Sequence, residues 1–141
     1  MGGKEFDWKK FQEHNKYTDE EMDVFKADPR RAKAAPKIFS KEIGKKTLIF
    51  EVVESHGCTV GMKPGDKLVF NALGALNTKE SSRWCAQALD GIGGVATMIQ
   101  DRFVSGLDLN DTTYEYISCG DVGAKRGWGQ VIMRYYVRDE S

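Results

Sequence analysis

The 141-residue chain has only three cysteines and two histidines, and none of the cysteines forms a C-x-x-C pair. That removes the tight-turn anchor by which most zinc and iron–sulfur sites announce themselves in a sequence. Three is an odd number, and Cys58, Cys85 and Cys119 stand 27 and 34 positions apart (85 − 58 and 119 − 85). The pattern is a poor disulfide framework, so free thiols or metal ligands are the better reading. Net charge is missing too: 21 basic residues face 21 acidic ones, without the basic excess of a dedicated nucleic-acid binder. No apolar run approaches the roughly 18 residues that cross a bilayer. The opening "MGGKEFDWKKFQEH" lacks the apolar core of a signal peptide, and Phe6 stands where a myristoylation signal needs Ser or Thr. The expectation is a cytoplasmic protein with reduced thiols and with neither nucleic acid nor membrane as partner.

What the chain does have is an ordinary globular composition, 40% hydrophobic and 30% charged, enough for one domain. Residues 1–46 carry 12 Lys/Arg and 9 Asp/Glu, and residues 47–141 carry 9 and 12. A slightly basic arm therefore precedes a slightly acidic body. The arm, 1–43, spaces a few large apolar residues among charges. A short helix is expected over 5–15. Another starts at "TDEEMDVF", where Thr18 can cap and Glu21 completes a capping box. A third starts at Pro29 and is limited by Pro36. With so little apolar surface, the arm is expected to clasp its own body or a partner subunit.

After Gly44 the character changes. "KKTLIFEVVES" (45–55) reads as a strand, and Pro64–Gly65 fits the centre of a type II turn leading into a second strand, "KLVF". Trp84, Cys85, Ala88 and Leu89 share a helical face, interrupted by Gly91, Gly93 and Gly94. "VATMIQDRFV" resumes a helix-like pattern with strand as the alternative, and residues 112–120 and 127–139 read as strands. The whole predicts an α+β domain, 44–141, with an antiparallel sheet, a central helical segment and the N-terminal helical arm. Tyr114, Tyr116, Tyr135 and Tyr136 would supply half-buried rings on the last two strands.

Four stretches carry candidate chemistry. Cys58, Cys85 and Cys119 with His56 make an allowed Cys₃His donor set, if the loops near 56–66 and 118–127 leave neighbouring strands side by side. The competing reading makes Cys85 a small core residue and the others ordinary loop thiols. Alternatively Cys58 is a nucleophile with His56 as its base, since i and i+2 share a face in extended backbone. "GIGGVA" has glycines that could cradle phosphate, but no strand precedes it as a dinucleotide fingerprint requires. "GDVGAKRGWGQV" (120–131) places Lys125, Arg126 and Trp128 in one loop, either a hairpin or the mouth of a site for an anionic ligand beside an aromatic plate. Asp101, Asp108, Asp111 and Asp121 form no paired-carboxylate motif, and His14 is expected to face solvent.

In residues 47–137, a cysteine follows the first strand. G-x-K-x-G-D (Gly61, Lys63, Gly65, Asp66) precedes the second. Cys85 and then C-x-D (Cys119, Asp121) complete the series. In that order the body resembles a family of small microbial proteins, roughly ninety residues long with three spaced cysteines. The resemblance implies that the three cysteines belong together, and the arm looks like an addition to that body. On this basis the chain is expected to be a small accessory subunit of a larger metabolic enzyme complex, its arm contacting the large subunit. Its thiol-rich site would hold zinc or an iron–sulfur centre, soft ligands favouring soft metals. The alternatives are a stand-alone small enzyme or thiol-redox protein using Cys58, and a ligand-binding module with the Trp128 loop as its mouth.

Overall fold

The computed structural model describes residues 5–140. Three helices come first: α1 (Trp8–Asn15), α2 (Asp19–Ala27) and α3 (Pro29–Ile38). Their ends are specified locally. Asp7 accepts the Lys10 N–H at the start of α1. At α2, Thr18 Oγ1 accepts from Glu21 N (3.1 Å) while Glu21 Oε2 accepts from Thr18 N (2.8 Å), the reciprocal capping box. Asp28 caps α3, and Pro29 sits at its first turn, where no N–H is needed. Pro36 does not end α3, contrary to expectation; the helix runs two residues further, to Ile38. So near the C-terminus the lost N–H costs one bond, and Phe39 N still reaches Ala35 O at 2.9 Å.

Much of the arm's apolar surface packs on itself. Phe11, Met22 and Ala35 are buried together, with Phe6, Trp8, Tyr17 and Phe25 packed around them. Phe11 stands edge-on to Trp8 and Tyr17, with ring centroids 5.6 and 5.8 Å away. Lys26 lies over Trp8 and Arg31 over Phe25. The arm meets the body through α3, where Lys37 Nζ donates to Val104 O at 2.7 Å.

The body is an antiparallel sheet of β1 (Lys46–His56), β2 (Lys67–Asn71), β3 (Tyr116–Ser118) and β4 (Gln130–Asp139), in the order β2-β1-β4-β3. One helix, α4 (Ile92–Val104), joins the halves. Together with the arm this is the α+β architecture the patterning predicted. β4 alternates buried and open positions from Gln130 to Arg138. Val131, Met133, Tyr135 and Val137 join Leu48, Phe50, Val52, Leu68 and Phe70 on the face that α4 covers with Ile92, Val95 and Ile99. Of the four tyrosines expected to be half-buried, Tyr136 is so, Tyr135 is buried, and Tyr114 and Tyr116 are exposed. No helix among the described residues is long and apolar enough to cross a membrane.

Two local departures from expectation shape one end of this sheet. A bulge between Val52 and Glu54 shifts the pairing of β1 with β4. Beyond it Ser55 faces Val131 and His56 faces Gln130, so the inward parity passes to Ser55 and His56 turns outward. And residues 77–87 form no helix. The Ser81 and Ser82 hydroxyl oxygens instead accept from the N–H groups of Val69 and Lys67 at 3.0 Å each, covering the free edge of β2. Only a 3-10 turn, Ala88–Asp90, precedes α4.

Candidate functional site

Three pieces of backbone arrive at one end of the sheet: the loop after β1, the turn before α4, and the connection from β3 to β4. Each brings one cysteine. Cys58, Cys85 and Cys119 all line a single small cavity of about 20 Å³, whose wall includes Asp121, Gly129 and Val131. All three thiols are free and half-buried, with their inner sides against the main core. A cavity of this size holds about one water-sized occupant.

The three sulfurs are held differently. Cys119 continues the β3–β4 ladder: its N–H donates to Val131 O at 2.9 Å, and Val131 N donates back to Cys119 Sγ at 3.3 Å. A backbone amide aimed at sulfur is the contact that tunes metal-bound thiolates. Cys85 sits in a turn, its carbonyl accepting from Ala88 N at 3.0 Å. The carbonyl of Cys58 accepts from Gly61 N at 3.2 Å. Cys119 is thus fixed by the sheet, and the other two ride on irregular backbone. Among the described residues no three His, Cys, Asp or Glu side chains stand close enough together to hold a metal ion as placed.

His56 is not part of this group. It lines a separate depression with Pro64 and Ile132 on the other side of the sheet. The bulge turned it there, and Gly57, with φ of +68°, breaks the extended path that would have put His56 and Cys58 on one face. His56, expected as fourth ligand or as base for Cys58, thus lines a different depression from the one the three cysteines share.

Asp121 is the residue the sequence underrated. Its carboxylate accepts from Gly129 N (3.0 Å), Trp128 N (3.1 Å) and Gly123 N (3.3 Å), closing the 121–129 loop like a clasp. The Trp128 N–H above all, with those of Gly129 and Gly123, holds its pKa below the ordinary carboxylate value, against partial desolvation. The clasp needs glycine at 129, because a Cβ there would fall on the His56 carbonyl and the Gly57 backbone. The signal available in the sequence was Asp followed by closely spaced glycines, the composition of a side-chain-closed turn.

Lys125, Arg126 and Trp128, assigned to a ligand mouth, lie on this loop and are all exposed. They project outside the cavity wall rather than into it: Gly129 lines the cavity and Trp128 does not. The glycines of "GIGGVA" open α4, with Gly91 at its cap, and Gly91 packs against Ile117, 3.5 Å from where a Cβ would stand. Gly91 serves helix–sheet approach, whereas a Cβ at Gly93 or Gly94 would meet open space.

No family model, curated protein or solved structure matches this chain.

Proposed function

We propose that the chain is a small accessory subunit of a larger metabolic enzyme complex and contributes a three-thiolate site for one soft metal ion, zinc in the first instance. The observation that carries this reading is the convergence of all three cysteines, 27 and 34 positions apart, on one cavity. Soft thiolate donors favour a soft ion such as zinc. The sulfurs would close on the ion by movement of the Cys58 loop and the Cys85 turn toward Cys119, which the sheet anchors. With His56 elsewhere and the Asp121 carboxylate engaged by three N–H groups, the fourth position is left to water, substrate or a partner's side chain. Three protein ligands and an open position is the arrangement of a polarising rather than a purely structural zinc.

The half-buried state of three free thiols also supports a second reading, a thiol-redox protein with Cys58 as the reactive group. One preparation separates them. Oxygen-free purification from the native host, followed by elemental analysis and thiol titration, is expected to give near one ion per chain and slow titration of all three thiols. Less than about 0.2 ion per chain with three freely titrating thiols overturns the metal site, because a formed thiolate site is close to fully occupied. One fast thiol and no metal favours the redox reading.

A further inference from the structure

Large apolar side chains stand exposed immediately outside the thiol cavity. Trp84 is 58% exposed, Val122 69% and Trp128 73%. Each is the chain neighbour of a cavity wall residue, Cys85, Asp121 and Gly129 respectively. One side of this rim is tied to the wall directly, and the other packs on its own loop. Next to Trp84, the Arg83 guanidinium donates to the carbonyl of Val60, itself a wall residue. Val122 Cγ2 lies against Gly127, 3.1 Å from where its Cβ would be. Two tryptophans and a valine left in water around a concave site are what a covered surface looks like before its cover arrives.

The charges beside them say what kind of cover fits. Arg83, Lys125 and Arg126 are exposed, and none has an ion-pair partner among the described residues. Of the acids next to the wall, Asp121 has its charge answered by three backbone N–H groups, which leaves Asp90. Trp and Arg are also the residue types that dominate binding energy at protein interfaces. A second copy of this chain is a poor occupant, because a two-fold contact would set this cationic rim against itself. Three cations in a chain of zero net charge are few for a polyanion or a lipid surface.

We infer that the Trp84–Val122–Trp128 rim, with Arg83, Lys125 and Arg126, is the docking face for a partner protein presenting an acidic border around an apolar centre. This rests on the accessory-subunit reading and relocates its contact. The arm, expected to hold the partner, packs most of its aromatic side chains in a cluster of its own, buried or half-buried, whereas the rim leaves the thiol cavity under the partner. A partner seated there completes the cavity wall and supplies or admits whatever takes the open fourth position.

The test uses the full-length chain, tagged and expressed in its native host, with the complex isolated under oxygen-free conditions. Two variants, W84A/W128A and K125E/R126E, change only exposed side chains that make no bond to the cavity wall, and circular dichroism checks that they fold. Both are expected to leave the host as monomers with their metal content unchanged. In the intact wild-type complex, hydroxyl-radical oxidation of Trp84 and Trp128 is expected to slow several-fold relative to the isolated chain, while that of Trp8 stays the same. Raising salt is expected to release the partner. The inference is overturned if either folded variant keeps the complex, if Trp84 and Trp128 oxidise equally fast in both states, or if the wild-type chain is already a monomer in its host. It is overturned equally if the rim proves necessary for binding anionic vesicles or single-stranded DNA and not for the protein complex. A rim-dependent complex without metal sinks the ion reading alone and supports the docking face; metal in a monomeric chain does the reverse.

Discussion

Asp121 does for a loop what a cap does for a helix: one carboxylate answers three backbone donors and so brings Gly129 against Gly57 and closes a cavity wall. Replacing it by Asn keeps one acceptor oxygen and turns the other into a donor that faces N–H groups. Asp121→Asn is therefore expected to loosen residues 121–129 and speed alkylation of Cys119 by iodoacetamide several-fold, with little change at Cys58. The pH dependence has a definite sign. Asp121 titrates below its ordinary 3.8 in the folded chain, so its stabilisation is fully present above about 3.8 and is lost as pH falls through the lower, folded value. Thermal melts taken from pH 5 downward should fall more steeply in wild type than in the Asn variant. Gly129→Ala tests the other half of the contact. The added methyl meets the His56 carbonyl, and unfolding in urea should show a loss of about 1–3 kcal/mol, the range for forced overpacking. At this scale the sequence was partly legible. Gly65, with φ of +94°, sits where "KPGD" demanded a left-handed residue. The role of Asp121 was not legible, because three N–H groups supplied two, seven and eight residues downstream leave no fixed motif.

Among the elements, those with local causes were readable and those with distant causes were not. The capping box of α2 is written in Thr18 and Glu21, and β4 in the alternation of "QVIMRYYV". Thr18→Ala is expected to cost about 1 kcal/mol. Hydrogen exchange should register that loss in the amides of α2 and leave β1 and β4 unchanged, because the arm and the body have separate apolar clusters. The 84–89 pattern misled for a physical reason. Its spacing suits a helix, but the donors along the edge of β2 recruit Ser81 and Ser82, and side-chain bonds of that kind compete with helix formation. The bulge at Val52/Glu54 is equally silent in "EVVESH". One inserted residue there moves His56 from the cavity side to the far side, and with it goes the only imidazole near the thiols.

For the molecule as a whole, the sheet order β2-β1-β4-β3 is what converts distance in sequence into proximity. It sets the C-terminal ends of β1 and β3 beside the start of β4, so Cys58 and Cys119 leave the sheet at one end, and the turn before α4 brings Cys85 to the same place. The antiparallel α+β architecture could be read from strand patterning. The shared cavity could not, since neither strand order nor the path of 77–87 is encoded in periodicity. The central claim is that the three thiols act as one site, and titration of the oxygen-free apo chain with cobalt(II) tests it directly, because thiolate coordination to this ion is visible by absorption. One equivalent should saturate the thiolate band in wild type, and C58A, C85A and C119A should each weaken binding by a similar factor of tenfold or more, since every ligand of a shared site counts. Undiminished binding in any one of the three variants, or no thiolate band in wild type, would contradict the account.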